Sequence, residues 1–137
     1  DFDGRGWVLE DGTGKYKPNE WAKKAIDLCD KWEADAIVAE TNFGGDMVEN
    51  TIHSVKPFMK VVTVRATRGK ALRADPVVAL YEQGLIHHVG ILSGLEDEMV
   101  TWTPESSWSP NRLDALVWGV TYLWFGNKII DESIYFC

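Results

Sequence analysis

The amino-acid sequence predicts an α/β domain whose sheet is covered by helices. Short apolar or β-branched segments alternate along the chain with longer stretches whose apolar residues recur at helical spacing. Two of the short segments, Ala36-Ile37-Val38-Ala39 and Val61-Val62-Thr63-Val64, read as strands joined by crossover helices and covered on their faces. The third observation is size. A chain of 137 residues, 45% hydrophobic and with seven Trp, is long enough for one domain with a single core.

The elements follow in order. Trp7-Val8-Leu9-Glu10 reads as a strand ending in the turn Asp11-Gly12-Thr13-Gly14. Pro18 opens a helix, because proline suits the first helical position, and Trp21, Ala22, Ala25, Ile26, Cys29 and Trp32 share its apolar face. A strand over 36–40 delivers Glu40 to its C-terminal tip. The Gly44-Gly45 turn follows, then a short helix over about 46–55. Residues 60–65 form the next strand, and Thr67-Arg68-Gly69-Lys70 a basic turn after it. The helix beyond has Asp75-Pro76 in or near its start and Gly84 past its end. Residues 85–89 are a short strand. Ser93 and Glu96 have capping-box spacing at the head of a helix reaching about Trp102. Ser109 is expected as N-cap and Pro110 as first residue of a very apolar helix ending near Trp124. The Trp residues at 21, 32, 102, 118 and 124 fall on apolar helical faces and are expected in the core.

Composition narrows the function classes. A net charge of −7 and a pI near 4.9 argue against an autonomous nonspecific nucleic-acid binder. Clustered carboxylates that hold metal ions would inflate the same count, so a nucleic-acid enzyme stays open. Cys29 and Cys137 make no disulfide framework, and a reducing cytoplasm is the simpler compartment. The start has no basic, apolar leader pattern, and the longest apolar run, 115–125, is too short to span a bilayer. No P-loop, dinucleotide fingerprint or zinc spacing is present.

Two carboxylates stand out. Glu40 ends a strand beside a glycine turn, where open α/β sheets bind ligands. Asp114 lies in the first turn of the late helix. The helix dipole alone would account for it there, but its neighbours Leu113, Leu116 and Val117 are apolar. Brought together, the two acids would make an oxygen-rich pocket suited to Mg²⁺ or Mn²⁺. The basic group Arg65, Arg68, Lys70 and Arg73 reads either as a solvated face or as a set of phosphate contacts. His87 and His88, adjacent in a strand, point to opposite faces and read as structural.

The segments Ile37-Val38-Ala39-Glu40-Thr41-Asn42-Phe43-Gly44-Gly45-Asp46, Arg65-Ala66-Thr67-Arg68-Gly69-Lys70, Ala79-Leu80-Tyr81-Glu82-Gln83-Gly84 and Ser109-Pro110-Asn111-Arg112-Leu113-Asp114-Ala115-Leu116 occur in that order. As a set they resemble the C-terminal nuclease domain of the large terminase subunit of tailed bacteriophages. The resemblance implies a ribonuclease H-like fold, a mixed sheet flanked by helices, and metal-dependent cutting of concatemeric viral DNA during genome packaging. In that family three acidic positions hold two divalent ions, Mg²⁺ or Mn²⁺. Glu40 matches the strand-end acid and Asp114 the acid opening the late helix.

Arg68, Lys70 and Arg73 would contact the DNA. The family's first acid lies on a strand before the segment present here, and Asp1 and Asp3 match no catalytic position. The expectation is an N-terminally truncated domain over 1–125, lacking the first strand, with a tail over 126–137. Alone it would bind metal weakly and cut poorly. Implied partners are double-stranded DNA, the terminase ATPase domain, the small terminase subunit and the portal protein, in the host-cell cytoplasm and away from membranes. The rival readings are a resolvase-type ribonuclease H-like nuclease and a catalytically silent module of the same fold that acts by protein contact.

Overall fold

A computed structural model describes residues 1, 3–41 and 46–126. The Gly44-Gly45 turn, Cys137 and the tail beyond Gly126 lie outside the described residues. In order, the elements are β1 (Gly6–Val8), α1 (Pro18–Lys31), β2 (Ile37–Glu40), α2 (Asp46–Val55), β3 (Val61–Val64), α3 (Lys70–Glu82), β4 (Ile86–His88), α4 (Ser93–Thr101) and α5 (Asn111–Phe125). They fall into two compact units. One holds Gly12–Ala66; the other combines Asp1–Asp11 with the chain from Thr67 onward.

In the Gly12–Ala66 unit, β2 and β3 pair in parallel, with Ile37 opposite Val61 and Glu40 opposite Val64. Parallel neighbours need a crossover, and α2 provides it. Helix α1 packs on α2 and β2. Its face Ala22, Ile26 and Cys29 is buried against Ile52 and Met59, as the spacing predicts. Glu20 accepts the Lys17 N–H at 2.9 Å, while Lys17 supplies no capping acceptor of its own. The Cys29 thiol donates to the Ala34 carbonyl at 3.4 Å, and burial pushes its pKa up. Trp32 departs from expectation. It stands one residue past the end of α1, at 41% exposure, with the Lys31 ammonium 4.9 Å from the ring centre. Periodicity assigns a face only while the helix continues.

In the other unit, β1 and β4 pair in parallel, with Gly6 opposite Ile86 and Val8 opposite His88. Helices α3 and α4 both pack on α5. The core is Val77, Leu80, Ile86, Val117 and Val120, with Val8, Tyr81, Leu113, Leu116 and Trp124 against it. A Cβ on Gly6 would lie 2.7 Å from the Trp124 ring, so glycine there lets the indole cover β1. Of the remaining Trp residues expected inside, Trp118 is buried while Trp21, Trp102 and Trp124 are partly so.

Three details differ from the sequence expectations. The described strands form two parallel pairs in place of one mixed sheet, and every pairing is of the parallel kind that crossovers impose. Helix α3 begins at Lys70, not near Pro76. Extended Gly69 is its N-cap, and the Arg73 N–H bonds the Gly69 carbonyl at 3.2 Å, closing the first turn before Asp75. Pro76 therefore sits inside the helix, where it removes the bond to the Leu72 carbonyl. Both residues are exposed, so water can take that acceptor. Third, the caps of α4 and α5 fall one residue off. Leu92 and Pro110 hold the N-cap positions, and neither Ser93 nor Ser109 caps its helix.

Candidate active site

Asp114 sits in the first turn of α5, its N–H bonded to the Pro110 carbonyl at 2.8 Å. Pro110 is fully buried and anchors that turn in the core. The Asp114 side chain is only 13% exposed, and two cations from the start of α3 face it. Lys70 Nζ donates to Oδ2, and Arg73 Nη2 lies 3.4 Å from Oδ1. Lys70 and Arg73 are three residues apart on a helix and so share a face. They differ in freedom. The Arg73 side chain is 10% exposed, with its guanidinium 4.7 Å from the centre of the Trp118 ring. The Lys70 side chain is 36% exposed, and its ammonium also donates to Ser109 Oγ at 2.6 Å. The hydroxyl read from sequence as a helix cap is bound to a lysine instead.

The head of α5 is held by groups that sequence reasoning missed. Glu98 on α4 accepts the Arg112 N–H at 2.8 Å and the Leu113 N–H at 3.1 Å, so a carboxylate from another helix caps α5. Its other oxygen accepts from Arg112 Nη1 at 3.0 Å, and Arg112 Nε donates to Asp11 at 2.8 Å. Those hydrogen bonds raise the Arg112 pKa, with Glu98 the larger influence. Gly94 makes room for the guanidinium, since a Cβ there would lie 2.9 Å from Arg112 Nε. In the sequence Glu98 belongs to the acidic run Glu96-Asp97-Glu98, and no spacing rule ties it to Arg112.

Glu40 is the last residue of β2 and is exposed, as expected for a strand tip. Thr41 beside it is buried, its N–H and hydroxyl both donating to the Val64 carbonyl. Glu40 belongs to the Gly12–Ala66 unit and Asp114 to the other. Arg65 and Arg68 are exposed at the end of β3 and before α3. Of the basic group, then, the structure brings Lys70 and Arg73 together on Asp114. Asp1 and Asp3 have local work: Asp1 accepts from the Arg5 N–H at 2.9 Å and the Trp7 indole at 2.8 Å, and Asp3 from the Arg5 guanidinium at 2.7 Å.

The adjacent His87 and His88 take opposite faces of β4. His87 stacks on Trp7 with ring centres 4.7 Å apart. His88 shares a 2.7 Å hydrogen bond with the Tyr81 hydroxyl and a 3.0 Å one with Glu96. The bond to His88, with that from the Leu92 N–H, holds the Glu96 carboxyl below its ordinary value of 4.5. Burial, helped by the Glu96 charge, pushes Tyr81 up to about 12.

Among the described residues no group of three or more His, Cys, Asp or Glu side chains is placed to hold a metal ion. None of the described helices is long and apolar enough to cross a membrane. Carboxylate oxygens on Glu40 and Asp114 are the hard donors that Mg²⁺ and Mn²⁺ prefer, so the residue chemistry fits such ions.

The described residues form an α/β fold with five helices and small parallel sheets, carrying one acid at a strand tip and another at a helix head. A family model described as the terminase RNaseH-like domain matches residues 3–123. The chain belongs to that family. No curated protein and no solved structure gives a significant match.

Proposed function

We propose that this chain is a metal-dependent endonuclease domain of a terminase large subunit, cutting concatemeric double-stranded DNA during genome packaging. The match over residues 3–123 carries the reading, because it extends across nearly all the described elements and both candidate acids. Glu40 and Asp114 would supply carboxylates to Mg²⁺ or Mn²⁺. Their pairing rests on the family resemblance. When bound, such ions supply the Lewis acidity that stabilises charge on a phosphodiester under displacement.

The chain's own residues divide the other tasks. Glu98, Arg112 and Asp11 fix the head of α5 and so the direction of the Asp114 carboxylate. Arg73, held against Trp118, positions that carboxylate and is too enclosed to serve as an exposed phosphate contact. Arg68 and Lys70 are exposed enough to meet a DNA backbone, contributing affinity without reading sequence. With a net charge of −7, the domain depends on bound metal and on a motor partner to engage DNA. The ATPase domain, small subunit and portal protein are the partners this role calls for, in the host-cell cytoplasm.

Calorimetric titration with Mn²⁺ tests the proposal, alongside relaxation of supercoiled plasmid. Binding heat lost in both Glu40→Ala and Asp114→Ala, with slow chelator-sensitive nicking lost in the same variants, is the expected result. Mn²⁺ binding indifferent to both substitutions, with no metal-dependent nicking, would overturn it in favour of a silent module.

A further inference from the structure

Asp114 carries one negative charge and is met by two positive ones, Lys70 and Arg73, in the same unit. A divalent ion on the same carboxylate would face both cations at short range and in partial burial, where Coulomb repulsion is weakly screened. Departure of one of them relieves that repulsion. Arg73 is poorly placed to leave: its side chain is 10% exposed and its guanidinium lies over Trp118. Lys70 has the freedom Arg73 lacks, a compact charge on a flexible stem at 36% exposure, with Ser109 Oγ as a second partner 2.6 Å away.

Resting on the reading of Asp114 as a metal ligand, we propose that Lys70 is an internal counter-cation that occupies this carboxylate until a divalent ion displaces it. Metal loading is then a cation exchange. The ammonium leaves Oδ2 when the ion arrives and becomes available to solvent and to a phosphate, while Arg73 keeps the carboxylate in place. Lys70 thereby lowers the affinity for metal and changes its own accessibility whenever metal binds.

Two measurements on this chain test the exchange. In calorimetric titrations with MnCl₂, Lys70→Met binds about tenfold more tightly than the unaltered chain, within the 5–150-fold range usual for coupled sites. Asp114→Asn loses that binding. In the unaltered chain, peptide mass spectrometry follows labelling of Lys70 by an amine-reactive ester, and Mn²⁺ speeds it several-fold. This second measurement decides the matter if Lys70→Met does not fold. Mn²⁺ binding that Asp114→Asn removes, with affinity unchanged or weaker in Lys70→Met or Lys70 labelling unmoved by metal, overturns the exchange alone. Absence of Mn²⁺ binding in the unaltered chain and in Lys70→Met overturns the metal-site reading and the exchange with it.

Discussion

Removing the Asp114 charge takes away the carboxylate that Lys70 and Arg73 share. In many sites built from clustered acids, deleting one relieves repulsion; here the repulsion is between cations and the deletion creates it. Asp114→Asn should therefore lower stability by about 1–3 kcal/mol, the usual worth of hydrogen bonds to a charged group. Urea unfolding measures it, and an equal or raised midpoint would contradict the pairing. Glu96 gives a pH-dependent counterpart. Its carboxyl titrates below 4.5 in the folded chain because of His88 and the Leu92 N–H. The stability this adds is complete above the unfolded-state value and is lost as pH falls through the lowered folded-state value. The advantage of the unaltered chain over Glu96→Gln should shrink on acidification below pH 4.5, read from thermal midpoints across the acid range. An advantage that grows there would contradict the assignment. Residue placement was legible in part. Apolar runs put Glu40 at a strand tip and Asp114 at a helix head, but no local pattern announces that Lys70, 44 positions away, will meet Asp114.

At the scale of elements, the head of α5 depends on a neighbour. Glu98 receives two of its first backbone N–H groups and also holds Arg112. Glu98→Ala should cost about 1–2 kcal/mol, as losing a good N-cap does. In the same variant Asp114 should lose its fixed direction, so Mn²⁺ affinity falls along with the denaturation midpoint. Loss of stability without loss of affinity would separate the cap from the site. Helix α1 was readable because Ala22, Ile26 and Cys29 recur at helical spacing and nothing competes with that signal. The start of helix α3 is hard to read because Asp75-Pro76 carries the signature of a first turn, while the real opening at Gly69 offers no side-chain cap. Ser109 looked like a cap for the same reason that it binds Lys70: its hydroxyl is a good local acceptor.

For the whole molecule, the class of fold was visible in the alternation of strand and helix patterns. The partition into two units was not, because pairing is a long-range property that composition and periodicity do not encode. Pairing distance along the chain separates the two ladders. Ile37 meets Val61 across one short crossover, whereas Gly6 meets Ile86 with most of the chain between them. Closing the longer loop has the larger entropy cost, and contacts so distant in sequence form late. During refolding, pulsed hydrogen exchange should show amides of β2 and β3 protected before those of β1 and β4. Simultaneous protection would indicate a nucleus that spans both ladders. On the ribosome the difference is larger still. Residues 6–8 are made before every other element described and cannot pair with residues 86–88 until those follow. Of the described elements, β1 is thus the first synthesised and among the last to find its place, and the interval between is when its edge most needs shielding from other strands.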